Sequence, residues 1–433
     1  MLKTIFSTCL FFSVVIARHE QYEGYALYEV TITNEEQAKL IKQLENQIPV
    51  DVWTHLVPGN TGQILVPKDQ RKEFQNELSA IGIEYKIETD NIREQLLLED
   101  ELLAAASKNR NGFSSRIGLS FDTIHNYSVV DQYLVDLASQ YPETVTVVSG
   151  GRSFEGRDIK YLKISTTNFE DRSKPIVYLE SLIHAREWIT LPATLYAIER
   201  LVIDVTEQDL LEDIDWIILP ILNPDGYEFT HTENRFWRKN RATNYTDGDS
   251  CLGVDLNRNF GIFWGEASSV NVCSETFHGW GPFSEPETSV VQNILAEYGS
   301  RIEIFFDIHS HGSLILYGYG LGALPPNALV INYVGVTMAH AIDNVKWDSN
   351  KDYTVGNVYY VLYAASGIAS DYALGIGIPL SYTYELPSYR GNSGLNGFLV
   401  DPEFIEQAGF ETWEGLKVGA RYVRDLYKRR HRH

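Results

Sequence analysis

The segment Ile183-His184-Ala185-Arg186-Glu187-Trp188 places an imidazole and a carboxylate three residues apart. On a tight turn, or on the first turn of a helix, both side chains can face one point. A histidine nitrogen and a carboxylate oxygen are typical zinc ligands, and a zinc site that does chemistry needs a third protein ligand while leaving room for water. His309 offers that ligand at the end of the run Glu303-Ile304-Phe305-Phe306-Asp307-Ile308, where an imidazole is expensive to bury without a partner. His311 competes for the role, because strand alternation puts it on the same face as His309. Among eleven histidines one His-x-x-Glu spacing arises roughly once by chance, so the neighbouring residues must decide.

Those neighbours are rich in groups that handle carboxylates and protons. Arg235-Phe236-Trp237-Arg238-Lys239-Asn240-Arg241 and Val254-Asp255-Leu256-Asn257-Arg258-Asn259 bring guanidinium groups, which bind carboxylates through paired hydrogen bonds. Ser381-Tyr382-Thr383-Tyr384-Glu385 ends a strand-like run on a carboxylate able to serve as general base towards an attacking water. Tyr363 lies beside the small residues Ala364, Ala365, Ser366 and Gly367, where a loop can move.

The elements that must position these groups fall into two sets. Between residues 27 and 88 the apolar period switches in a fixed order: strand Leu27 to Ile32, helix Glu35 to Ile48, strands Val52 to Leu56 and Gln63 to Val66, helix Asp69 to Ile81, strand Ile83 to Glu88. That β-α-β-β-α-β order predicts a ferredoxin-like α+β domain. A charged helix over Asn91 to Lys108 then runs into the polar loop Lys108 to Ser115, a preferred site of proteolysis. From Phe121 onward strands and helices alternate, with helix starts at Ser128 and Ser284, whose hydroxyls can cap free N–H groups. Strand-like runs Thr144 to Val148, Pro175 to Leu182, Trp216 to Leu222, Glu303 to His309 and Pro379 to Glu385 include several that are continuously apolar, which predicts an α/β sheet covered on both faces by helices. Chemistry in such a fold belongs where strands end.

The 433 residues carry a formal net charge of -22, with 36 Lys and Arg against 58 Asp and Glu. That balance repels phosphate backbones and anionic lipid, which excludes nucleic acid and membrane surfaces as partners. Lys3 followed by the apolar run Ile5 to Ile16, with Val15 and Ala17 as small residues before a cut, reads as a secretory signal spanning residues 1–17. No other window approaches the ~20 apolar residues of a membrane helix, so an exported protein is expected. Removal of the signal takes Cys9 with it and leaves Cys251 and Cys273, able to pair in an oxidising compartment and to stabilise the fold by roughly 3 kcal/mol. Asn126-Tyr127-Ser128 and Asn244-Tyr245-Thr246 are glycosylation sequons.

Taken together, the motifs His184 to Ile189, Asn223 to Tyr227, Trp237 to Lys239, Gly253 to Phe260, Cys273 to Gly279 and Ile308 to Ser310 stand in an order that resembles the secreted zinc procarboxypeptidases of the pancreatic A/B type. The resemblance covers essentially the whole chain. It implies a mixed, mainly parallel sheet with helices on both faces, preceded by an inhibitory ferredoxin-like pro-domain. The implied divisions are a signal at 1–17, a pro-domain with its connecting helix at 18–110, and a catalytic domain at 111–433, activated by a trypsin-like protease cutting at Arg110.

By the same resemblance His184, Glu187 and His309 bind zinc, and Asp255 orients one zinc histidine. Glu385 acts as general base and Arg238 steadies the oxyanion. Asn257 and Arg258 clamp the C-terminal carboxylate of peptide and protein substrates, Tyr363 closes over the bound end, and Arg186 and Ser310 line the next subsite. A monomer that protein inhibitors can block is implied. Two departures from the family pattern stand out: Pro387-Ser388-Tyr389-Arg390-Gly391-Asn392 follows Glu385-Leu386, and Ser370 occupies the floor of the specificity pocket beside neutral Gly320, Val358 and Ile368. Without an acid there, a buried Lys or Arg side chain lacks a partner, which predicts release of neutral aliphatic or aromatic residues. Asp371 also follows Ser370 in A-type members and does not argue otherwise. The competing readings are a peptide-binding relative without turnover, and a zinc amidase acting on another carboxylate-bearing substrate.

Overall fold

The structure is a computed structural model that describes residues 18–54, 57–108, 118–245, 251–389 and 391–430. The signal, the Arg110 loop, Leu56, Thr246 of the second sequon and Arg390 lie outside the described residues.

The first unit contains β1 (Ala26–Thr31), β2 (Asp51–Val52), β3 (Thr61–Val66) and β4 (Glu84–Thr89) in the antiparallel order β2-β3-β1-β4. Helices Glu35–Gln47 and Arg71–Ala80 bury Ile41, Leu44, Phe74 and Leu78 against Tyr28, Val30, Ile64 and Val66, so the two periods read from the sequence meet in one core. The expected strand through Leu56 is corrected. Pairing of β2 stops at Val52 because Trp53 and Thr54 both donate their N–H to the one carbonyl of Gln63, at 2.9 and 3.2 Å, which turns the chain out of the sheet.

The second sheet holds β5 (Val145–Arg152), β6 (Asp158–Ile164), β7 (Ile176–Ser181), β8 (Asp215–Leu219), β9 (Ile302–Ser310), β10 (Leu314–Tyr317), β11 (Thr354–Asn357) and β12 (Leu380–Leu386) in the order β11-β10-β12-β9-β7-β8-β6-β5. The central strands β12, β9, β7 and β8 run parallel, and antiparallel pairs flank them. Alternation explains the layering. Val177, Leu179, Ile304 and Phe306 pack under helices Thr190–Val202, Ala328–Asp343 and Pro402–Arg430, whereas Ile176, Tyr178 and Phe305 meet helices Pro286–Tyr298 and Ala369–Gly375. Strands β6, β10 and β11 extend the expected set.

Both proposed serine caps are corrected as well. Asn126, a stronger cap just upstream, accepts from Val129 N at 3.1 Å, and Ser128 Oγ donates to the Asn126 carboxamide. At the other helix Pro286 opens the first turn, needing no N–H partner, and Ser284 Oγ donates to Glu285.

The two units meet through the helix Ile92–Lys108. Its Glu99 is buried and receives Arg235 Nε and Nη2 at 2.8 and 3.0 Å, and Val400 N at 2.7 Å. Tyr22 donates to Asn234, and Arg18 and His19 hold Asp100.

Candidate metal centre and active site

Parallel strands deliver their chemistry at their carboxyl ends. Just past β7 the chain turns at Leu182, whose φ of 53° is uncommon for a bulky residue and redirects the backbone into the His184 to Glu187 turn. Ala185 N donates to Arg238 O at 3.1 Å, which ties that turn to the segment carrying the guanidinium. His309 stands at the end of β9, in register with Glu385 on β12.

His184, Glu187 and His309 are buried, and their ligand atoms lie within 4.8 Å of one another. His184 Nδ1 is 2.7 Å from Glu187 Oε1 and 3.1 Å from His309 Nδ1, which is itself 3.1 Å from Glu187 Oε2. Tetrahedral ligands at zinc bond lengths stand about 3.3 Å apart, close to these separations. The outer nitrogens already face carboxylates: His184 Nε2 is 3.1 Å from Asp255 Oδ1, and His309 Nε2 is 2.7 Å from Asp307 Oδ2. With protons on those outer nitrogens, two imidazole lone pairs and a carboxylate point at one spot with no proton between them. A cation at that spot relieves the opposition of acceptors, and two imidazole nitrogens with one carboxylate are a donor set that fits zinc. The strand ends at Ser310, so His311 lies beyond it, and its ring packs on Phe398 with centroids 4.9 Å apart.

The charges around the triad favour the ionised forms it needs. Burial alone would raise Glu187, but the His184 and His309 imidazoles bring it well below the usual carboxylate range. Asp255 is likewise held low against its burial by Arg238, Arg258 and His184. Glu385 behaves differently: burial pushes it up to about 8, assisted by Glu187 and Asp307 and opposed by His309 and Arg238.

The remaining expected residues surround the same cleft. Arg238 is fixed by Asp255 Oδ2 through Nε and Nη2 at 3.2 and 2.9 Å. Arg258 Nη2 donates to the Tyr363 hydroxyl at 2.6 Å, and Asn257 Oδ1 accepts from Ala369 N at 2.8 Å. Gly367 sits at φ 67° with its Cβ position 2.3 Å from Arg258 O, so only glycine lets the Tyr363 loop pass so close to the arginine backbone. Ser310 N donates to Glu187 Oε2 at 3.1 Å. Ser370 is the exception. It is buried, with its hydroxyl 2.9 Å from that of Thr383, and Thr383 lines the cavity beside Leu316, Val358, Ala365 and Ile368. Gly320 N donates to the buried Asp371 at 2.8 Å. Cys251 and Cys273 form a disulfide.

Sequence reasoning missed the residues that the first unit inserts into this cleft. Asp51 Oδ2 accepts from Arg186 Nη1 at 2.7 Å, and Trp53 packs on Phe236 and Phe398 at 4.8 and 5.1 Å between centroids. Nothing in the sequence signalled them, since the expected strand ran on through Trp53 to Leu56. Asp307 was missed too, though a charge inside an otherwise apolar strand, two residues before a ligand, was legible.

Residues 130–415 match the model of the zinc carboxypeptidase family, and residues 28–100 match that of the carboxypeptidase activation peptide. The chain is 44% identical over 423 residues to a protein named carboxypeptidase B from Helicoverpa zea, covering 96% of this chain and 98% of that one. It is 61% identical to the carboxypeptidase A of Helicoverpa armigera seen in a crystal structure, with a TM-score of 0.91 over 94% of this chain and 99% of the other. Bovine thrombin-activatable fibrinolysis inhibitor, solved in complex with tick carboxypeptidase inhibitor, is 29% identical with a TM-score of 0.62 over 70% of this chain and 98% of the other.

Proposed function

The chain belongs to the zinc carboxypeptidase family and is the zymogen of such an enzyme, and on that premise we propose that it is secreted and, once cut at Arg110, releases neutral C-terminal residues from peptides. The observation that carries this reading is the convergence of the His184, Glu187 and His309 donors at the end of β9, with Glu385 in register beside them. His184, Glu187 and His309 would hold the zinc ion, which would supply Lewis acidity and lower the pKa of a water towards neutrality. Glu385 takes the proton of the attacking water and passes it to the leaving amine. Arg238, held rigid by Asp255, stabilises the oxyanion more than the starting carbonyl, and the rate gain follows from that difference. Arg258 and Asn257 clamp the terminal carboxylate and Tyr363 closes over it, so only the last peptide bond is presented.

The apolar wall of Leu316, Val358, Ala365 and Ile368 supports neutral specificity, with the Ser370 and Thr383 hydroxyls paired to each other beside it. The relatives carry both A and B names, so the assay must decide. Latency is read from Asp51, which pairs with Arg186 in the subsite next to the carboxylate clamp, under a lid completed by Trp53. The proposed division is a pro-domain at 18–110 and an enzyme at 111–433, with a trypsin-like activator and the free monomer as working form. No helix among the described residues is long and apolar enough to cross a membrane.

The test is to treat the purified precursor with trypsin and compare release of terminal Phe, Leu, Lys and Glu, with and without a zinc chelator. Preferred release of Lys would overturn the specificity. Equal cleavage of peptides with free and amidated C-termini would favour an amidase on other substrates.

A further inference from the structure

Directly beneath His309 lies a carboxylate that the mechanism above does not use. Asp307 precedes the ligand by two residues on β9, so both side chains leave the same face of the sheet. Its neighbours in register are Thr383 on β12 and Glu180 on β7. Asp307 is fully buried, its Oδ2 lies 2.7 Å from His309 Nε2, and neither of its oxygens has a hydrogen-bond partner among the described residues. Burying an acid without donors costs several kcal/mol, and an apolar residue would fill the same space at no such cost. Glu180 does not balance it, being an acid that accepts from Tyr178 OH at 2.5 Å.

A second group also faces the outer nitrogen of His309: Asn257 Nδ2 at 3.2 Å. Because Asn257 Oδ1 is engaged by Ala369 N at 2.8 Å, its amide presents only N–H groups to the ring. It cannot accept a proton from Nε2. Asp307 can, and the resulting tautomer leaves the Nδ1 lone pair directed at His184 Nδ1 and Glu187 Oε2. Asn257 Nδ2 is then available to a substrate carboxylate.

We propose that Asp307 is the positioning residue of the second metal histidine, accepting the Nε2 proton of His309 as Asp255 does for His184. The inference rests on the reading of the triad as a zinc centre. Each metal histidine thus has its own carboxylate, one reached from a distant loop and one carried on the same strand.

The experiment measures zinc affinity of the full-length precursor by chelator competition, for wild type, Asp307→Leu and Asp307→Asn, together with the melting temperature of each metal-free protein and the visible spectrum of its cobalt form. Leucine should weaken zinc binding about 10–100-fold. Asparagine, which keeps an acceptor but no charge, should weaken it less and shift the cobalt bands, and it keeps the test open should leucine fail to fold. Metal-free Asp307→Leu should melt no lower than wild type, since a buried charge has gone, whereas a merely structural role predicts a lower melting point and unchanged affinity. Zinc affinities of both variants within twofold of wild type would overturn the proposal. A wild-type protein that binds no zinc would overturn the zinc-centre reading itself, and this inference with it.

Discussion

Two buried charge clusters sit at opposite ends of the same parallel strands, and they are built on different principles. At the amino ends, Asp215 is fully buried and met by Ser165 Oγ at 2.7 Å, Lys174 Nζ at 3.3 Å and Arg301 Nη2 at 2.6 Å. Donors saturate it. At the carboxyl ends, His184, Glu187 and His309 turn acceptors toward one another, while Asp255 and Asp307 occupy the nitrogens that would otherwise supply protons. Burial of charge is common to both, so it does not mark the active site. The imbalance of lone pairs over protons does.

Substitutions that separate the two clusters give the comparison its force, and the largest effect is expected at the carboxyl ends. Glu385→Gln should lower turnover of the activated enzyme by roughly 10²–10⁴-fold while zinc content stays at one per chain, and undiminished hydrolysis would remove Glu385 from the mechanism. Since Glu385 must be ionised to take a proton, kcat/KM should fall as pH drops through its pKa, which burial pushes up to about 8. A pH–rate profile locates that limb. At the amino ends Asp215→Ala leaves Lys174 and Arg301 without their acid and should cost about 3–5 kcal/mol of stability by denaturant unfolding, with zinc affinity unchanged. Loss of zinc in that variant would erase the distinction drawn here.

Smaller effects probe the contacts between the units. Asp51→Ala frees Arg186 and should raise the activity of uncut precursor on small substrates about 2–5-fold, the yield of a partly exposed ion pair. His231 stacks on Trp188 beneath the Ile92–Lys108 helix, and burial, reinforced by Arg235 and Arg18, lowers it from 6.5 to about 3. Its neutral form is therefore the folded one. The stability it contributes is complete above 6.5 and declines as pH falls from there toward 3. Replacement by Phe should flatten that acid loss by about 1–2 kcal/mol at pH 5, measured as the pH dependence of the unfolding free energy.

Much of this was legible in the sequence because it is written locally. The His184 to Glu187 spacing, the apolar strand ending at His309 and the Glu385 terminus each fix a side chain by short-range geometry, and parallel register then aligns the ends. Choosing His309 over His311 needed the strand's true end at Ser310, a boundary one residue wide. Ser370 was legible only by its order along the chain, and its hydroxyl lies 2.9 Å from that of Thr383, which lines the cleft. The lid residues Asp51 and Trp53 could not be read at all, since their partners lie more than a hundred residues away and no periodicity encodes a contact between domains.

The Glu99 grip on Arg235 and on the Val400 backbone lies upstream of the proposed cut at Arg110, on the side of the chain that scission does not shorten. Severing the polypeptide therefore removes a tether but dissolves none of the contacts that seat the lid. Onset of activity should run on two clocks, one set by the concentration of the activating protease and one by the first-order departure of the cut segment. Dilution would leave the second untouched.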